Sequence, residues 1–195
     1  MKQILSASAL ALIVAGCSAE PSANQADANV AAATPVVAPA PSPTPAPSAS
    51  PAAAVLTLDG LGALEIGQPV PKDSGWAARG AQASAACTTV TSPDYPGVYA
   101  IVEQGRVRRI TVGRRSDVTL IEGIGVGASA QQVTAAFPGF RATPHKYEPA
   151  PAEYLTAPNA DSGDSALRFE IGADGKVSAI HVGTKPALFY VEGCA

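Results

Sequence analysis

From Ser18 to Ala54 the chain is built mostly of Ala, Pro, Ser and Thr, and this confines any packed fold to the residues C-terminal of Ala54. The run Val36-Val37-Ala38-Pro39-Ala40-Pro41-Ser42-Pro43-Thr44-Pro45-Ala46-Pro47 has no charged and no aromatic residue. Such a composition buries too little apolar surface to offset the entropy of ordering it, so a disordered tether over 17–54 is expected. Alternating prolines bias it toward the extended polyproline form. At about 3.1 Å per residue its stiff limit is on the order of 110 Å, against about 35 Å for a flexible coil. A binding role for the prolines is the alternative to a spacer, and the spacer is favoured. The one candidate globular unit is 55–195, about 140 residues, an ordinary size for a domain with its own core.

The N-terminus reads as an export signal. Lys2 supplies one positive charge, and Ile4 to Ala15 is apolar apart from Ser6 and Ser8. That run is too short to span a bilayer and has the length of a signal-peptide core. It ends Val14-Ala15-Gly16-Cys17, which resembles the lipobox of bacterial lipoproteins. The resemblance implies a signal peptide over 1–16, cleavage before Cys17 and lipidation of that cysteine. Acyl chains contribute about 0.8 kcal/mol per buried methylene, and two or more give stable anchoring. Ser18, in place of an aspartate, implies passage to the outer membrane, with the domain facing the periplasm. An ordinary secretory signal with a chance cysteine is the competing reading.

With Cys17 lipidated, Cys87 and Cys194 remain. An even number in an oxidising compartment predicts that they pair, closing a loop of about 100 residues worth up to about 4.7 kcal/mol. Two free buried thiols are the alternative. The formal net charge of −3 argues against bulk nucleic-acid binding.

Within the globular unit two segments share one plan. Tyr99 to Gly113 and Leu167 to Gly183 each read strand, glycine turn, strand, with the turns at Gln104-Gly105 and Asp174-Gly175. Leu167, Phe169 and Ile171 alternate with Arg168 and Glu170, the period of a half-buried strand. Asp59-Gly60-Leu61-Gly62 precedes the first unit and Glu122-Gly123-Ile124-Gly125 the second. Ser129-Ala130-Gln131-Gln132 is a capping box opening a short helix with Val133, Ala136 and Phe137 on one face, stopped by Pro138-Gly139. In the first unit a short or broken helix is expected between Trp76 and Ala86, with Trp76 in the core. The resulting expectation is an α+β fold: two pseudo-repeats, about 55–117 and 118–195, each a short helix plus an antiparallel β-hairpin, with helices packed on an antiparallel sheet.

The run Gly127-Ala128-Ser129-Ala130-Gln131-Gln132-Val133, closing at Phe137-Pro138-Gly139, resembles small outer-membrane assembly lipoproteins of the SmpA/OmlA type and repeats similar to β-lactamase inhibitor protein. That resemblance implies helices on a sheet and binding to protein surfaces, with no catalysis. Asp59 to Gly62, Pro144 to Tyr147 with Tyr154 to Thr156, and Tyr190 to Cys194 resemble uncharacterised exported bacterial domains ending Tyr-Val-Glu-Gly-Cys. The second resemblance spans most of the domain and implies no activity.

Several residues are candidates for binding. Arg106, Arg108 and Arg109, with Arg114 and Arg115, follow the first hairpin; arginine pairs with phosphate and carboxylate, so lipid A, phospholipid or peptidoglycan stems are conceivable partners. A solvated strand face is the plainer reading of the same residues. His145 and His181 with Glu148, Glu153 or Glu170 have the donor types of a zinc site, but lack its spacing, so two surface histidines are favoured and no metal or other cofactor is expected. Glu148 to Ser165, with Tyr154 inside it and Tyr147 just before it, is a loop suited to recognition or simply a surface loop. No nucleophile elbow and no nucleotide loop is present. The expected function is that of a non-enzymatic envelope lipoprotein, bound to the membrane through Cys17, whose domain binds a protein or an envelope component such as peptidoglycan. A small-ligand or inhibitor module using the Glu148–Ser165 loop is the second reading, and an envelope hydrolase the third.

Overall fold

The computed structural model describes residues 54–194. The signal peptide, Cys17 and all of the tether before Ala54 lie outside the described residues. Along the chain, β1 (Val55–Leu56), β2 (Gly60–Leu61) and β3 (Leu64–Glu65) form a short antiparallel ribbon. Then β4 (Ala77–Ala78), β5 (Cys87–Thr91), β6 (Val98–Glu103) and β7 (Arg106–Val112) run as a meander. β8 (Thr119–Leu120) returns to pair parallel with β1. The second half supplies helix α1 (Ala130–Ala136), then β9 (Arg141–Pro144), β10 (Glu153–Thr156), β11 (Ala166–Ile171) and β12 (Val177–Gly183). A 3-10 turn, Ala187–Phe189, opens the C-terminal tail.

The strands form a four-stranded sheet, β3-β2-β1-β8, and an eight-stranded one, β4-β5-β6-β7-β12-β11-β10-β9. The fold is therefore mostly β, and the α+β expectation with helices packed on a sheet is wrong. Among the described residues there is one seven-residue α-helix, and none long and apolar enough to cross a membrane. The helix expected between Trp76 and Ala86 is replaced by turns and the two-residue β4. Gly75 and Gly80 take φ of 74° and 72° there, left-handed values that break a right-handed helix. The layer expected from helices comes instead mainly from the four-stranded sheet.

The large sheet has an internal pseudo-two-fold relation. Each half contributes four consecutive antiparallel strands, and β7 joins β12 at the centre. Thr111 pairs with His181, while Ile110 faces Val182 and Val112 faces Ile180, so the relation passes through the Thr111–His181 pair. The two hairpins carry matching register shifts, at Ile101/Val102 and at Glu170/Ile171. Gln104 and Gly105 have φ of 53° and 73°, the double positive φ of a tight hairpin turn.

One face of the sheet is apolar. Ala100, Val98, Ile110, Val112, Ile180, Val182, Leu167 and Phe169 pack with Leu56, Leu61, Leu64 and Leu120 of the small sheet and with Val133 of α1. The capping box forms as expected: Ser129 Oγ accepts from the Gln132 backbone at 3.2 Å, and Gln132 Oε1 accepts from the Ser129 backbone at 2.9 Å. Phe137, at the helix end, rests 5.4 Å from the Phe169 ring. Trp76 is buried and stacks on Tyr95. The opposite face is crossed by the C-terminal tail, which the Cys87–Cys194 disulfide fastens to β5.

Candidate binding site

Strand alternation sends Tyr99, Thr111, His181, Arg168 and Thr156 to the tail-covered face in one cross-strand row, since each is the register partner of the next. Arg109 lies two residues along from Thr111 on the same face, and Glu170 two residues along from Arg168. A sheet face free to meet water would leave these polar side chains solvated. Here the tail covers them: Arg109, Thr111, Thr156, Arg168 and His181 are all buried.

Burial demands partners. Arg109 donates to the Ala187 carbonyl at 3.0 Å and to the Tyr190 carbonyl, so it clamps the tail to the sheet. Thr184 N–H donates to the Arg108 carbonyl at 2.9 Å beside it. Glu170 lies between the two histidines, with His145 Nε2 at 2.8 Å and His181 Nε2 at 3.5 Å. His145 Nδ1 accepts from the backbones of Tyr147 and Glu148, at 3.1 and 2.9 Å, so Nε2 carries the proton given to Glu170. His181 Nδ1 lies 2.9 Å from Thr111 Oγ1. Hydrogen bonding from His181, and less strongly from His145, holds Glu170 down at about 2 against the opposing effect of burial. Burial pushes His181 down to about 4, in spite of the carboxylate beside it.

Both histidines are thus interior groups, which corrects the expectation of two surface histidines; the His145 side chain is only 4% exposed. For His181 the covering tail is the reason, and His145 is enclosed by the Tyr154 ring stacked on it and by Glu170. Their nitrogens are already committed to Glu170, Thr111 and backbone N–H groups. Tyr154 is buried too, stacked on His145 with ring centroids 4.8 Å apart. Tyr147 is exposed and its hydroxyl donates to Glu192 of the tail. The arginines separate: Arg106 is exposed and reaches the Gly67 carbonyl at 2.8 Å, Arg108 sits half-buried at the bulge, and Arg109 is fully interior. For Arg109 the solvated strand face is therefore wrong. The cluster brings together His145, His181, Tyr154 and Arg109, and leaves out Arg106 and Arg108. Arg168, absent from the sequence-based candidates, joins it, with its guanidinium carbon 3.8 Å from the Tyr154 ring centroid.

The accessible concavity on the other face is apolar. A cavity of about 280 Å³ lies between the small sheet, the end of α1 and the sheet face. Leu56, Leu120, Phe137, Phe140, Leu167 and Val182 form its walls. Two further lining residues, Leu58 and Ile121, are 48% and 82% exposed. Large aliphatic side chains in water beside an apolar hollow mark a place where another apolar group is taken up. Glu122 is the one ionisable lining residue. Of the sequence-based candidates, only the Glu148–Ser165 loop reaches this cavity, through Ala157, Pro158 and Asn159; the lining segments 56–58 and 120–122 read only as strand and glycine-turn entries.

Comparison with family models and with curated protein sequences finds no match. Among solved structures the chain is similar to the crystal structure of the uncharacterized protein YfeY from Escherichia coli, with 16% sequence identity and a TM-score of 0.46 over 66% of this chain and 99% of that one.

Proposed function

We propose that this is a lipid-anchored protein of the cell envelope whose domain is a non-catalytic binding module, holding one aliphatic chain of an envelope lipid. The observation that carries the reading is the apolar cavity with Leu58 and Ile121 exposed beside it. Ligand pockets run from about 300 to 1,000 Å³, so this volume suits a single chain rather than a whole lipid. Each methylene moved from water contributes about 0.8 kcal/mol. The proposed membrane anchor favours a membrane lipid as the source, and Leu56, Thr57 and Leu58, which line the cavity, are among the first residues of the domain after the tether. The buried His145–Glu170–His181 group supports a structural part for those residues, since substrate would have to displace the tail to reach them.

The test has two arms. Dodecanol, an uncharged single chain, is titrated into the full-length protein, and the variants Leu58→Asp and Ile121→Asp are compared with it. Saturable binding of one chain is expected, weakened about tenfold or more by each charge at these exposed positions, with folding unaffected. Absence of saturable binding, or binding indifferent to both changes, contradicts the reading. In the native host, Cys17→Ser is expected to move the protein from the membrane to the soluble fraction; membrane retention would overturn the anchor.

A further inference from the structure

Arg168 is 7% exposed, yet no protein acceptor among the described residues meets its guanidinium, and its Nε is buried without a partner. The other interior arginine, Arg109, also has an unpartnered Nε, but its terminal nitrogens reach the tail carbonyls and the Tyr99 hydroxyl. The guanidinium of Arg168 is instead placed by aromatic rings, with Tyr154 at 3.8 Å and Phe189 at 5.2 Å. Stacking positions a guanidinium and leaves its N–H edge without an acceptor. That residue lines a surface cavity of about 660 Å³ together with Arg141, Thr143, Thr156, Asp161 and Phe189.

The local charge points the same way. Arg109 and Arg168 are interior cations and Glu170 is the carboxylate nearest them, so the buried cluster keeps an excess positive charge. At the rim, Asp161 is shared between Lys185 at 2.8 Å and Arg141 at 3.6 Å, which again leaves one cation in excess. A buried, unpaired guanidinium facing a cavity is costly unless an acceptor arrives. We propose that this cavity, between β9, β10, β11 and the tail, binds an oxyanion, a phosphate or carboxylate group, with Arg168 as its principal donor and Arg141 as a second. Thr143, Thr156 and Phe189 line the space left for the rest of the ligand. Asp161 competes for Arg141 until the anion binds. The site is independent of the apolar cavity, and an uncharged chain does not test it.

Isothermal titration of the full-length protein with inorganic phosphate, and separately with acetate, tests the assignment and ranks the two anions. One saturable site is expected, weakened about tenfold or more by Arg168→Gln, since a charge-assisted hydrogen bond is worth about 1.5–3 kcal/mol. Arg141→Gln should weaken it several-fold, and Arg106→Gln, outside the cavity, should leave it unchanged. Asp161→Asn frees both rim cations and should tighten binding several-fold, a gain that a folding defect cannot imitate. If Arg168→Gln fails to fold, the Asp161 and Arg141 variants, both at exposed positions, decide the matter. No saturable binding of either anion up to tens of millimolar, or an Asp161→Asn variant that binds no tighter, would overturn the proposal.

Discussion

Thr111 Oγ1 and His181 Nδ1 lie 2.9 Å apart on the two central strands, at the point through which the pseudo-two-fold relation of the sheet passes. A strictly symmetric sheet would repeat one residue there. Instead, a hydroxyl meets an imidazole, and the imidazole turns its other nitrogen to Glu170. The centre of the sheet is therefore a place where the halves differ in side chain while sharing backbone register.

Acid should destabilise the domain in two stages. His181 is held near 4 in the fold against an ordinary value of 6.5, so the unfolded chain binds more protons across that interval and stability falls as the pH drops from about 6.5 to 4. Glu170, held at about 2 against 4.5, adds a further loss from about 4.5 downward. The groups facing this pair are His145, Arg109, Arg168, Tyr99, Tyr154 and Thr111. Urea denaturation at a series of pH values should show the slope between 6.5 and 4 reduced in His181→Gln, with the lower stage diminished too, since His181 is the main group holding Glu170 down, but kept in part by His145. An unchanged upper slope would mean that His181 does not set it.

The tail is held by a covalent and a polar fastening that act on one element. Reducing the Cys87–Cys194 bond should cost up to about 4.7 kcal/mol by loop entropy. Arg109→Ala leaves two tail carbonyls without their donor and should cost about 3 kcal/mol. Because both release the same segment, a double-mutant cycle of Cys87→Ser/Cys194→Ser with Arg109→Ala should show a coupling of roughly 1 kcal/mol or more. Strict additivity in equilibrium denaturation would mean that the two do not share the tail.

Gly183 faces Arg109 across the central strand pair. A Cβ there would overlap the Arg108 carbonyl oxygen and come within 2.8 Å of the Arg109 Cα. Backbone cannot yield as a side chain can, so Gly183→Ala should cost about 1–3 kcal/mol, read as a lower urea midpoint. The same change at Gly175, whose Cβ would meet nothing within 4 Å but whose φ is 71°, carries only the strain of a left-handed residue and should cost less.

What the sequence conveyed and what it hid have separate physical causes. The two hairpins and their glycine turns were legible because alternation and turn chemistry are local. So was the Ser129–Gln132 capping box. The disulfide was legible by cysteine count. Its consequence was not: a tail pinned to β5 has to cross the sheet, so the alternating Arg168 and Glu170 face protein instead of water. That single step moves Arg109 and His181 from the surface to the interior, and Tyr154 and His145 stack beside them. The two-residue strands β1, β2, β3 and β8 were illegible because they are too short to show a period, and they build much of the layer that the sequence assigns to helices. The apolar cavity lies in that layer.

Uptake of an aliphatic chain by the hollow beneath the small sheet is the proposal on which the function rests. It can be checked by nuclear Overhauser contacts between dodecanol methylenes and the side chains of Leu58, Ile121, Phe137 and Leu167, measured on the full-length protein. Cross-peaks from the chain to all four are expected, and they should be lost in Ile121→Asp. Contacts confined to other surfaces, or none at saturating dodecanol, would show that the hollow does not hold the chain.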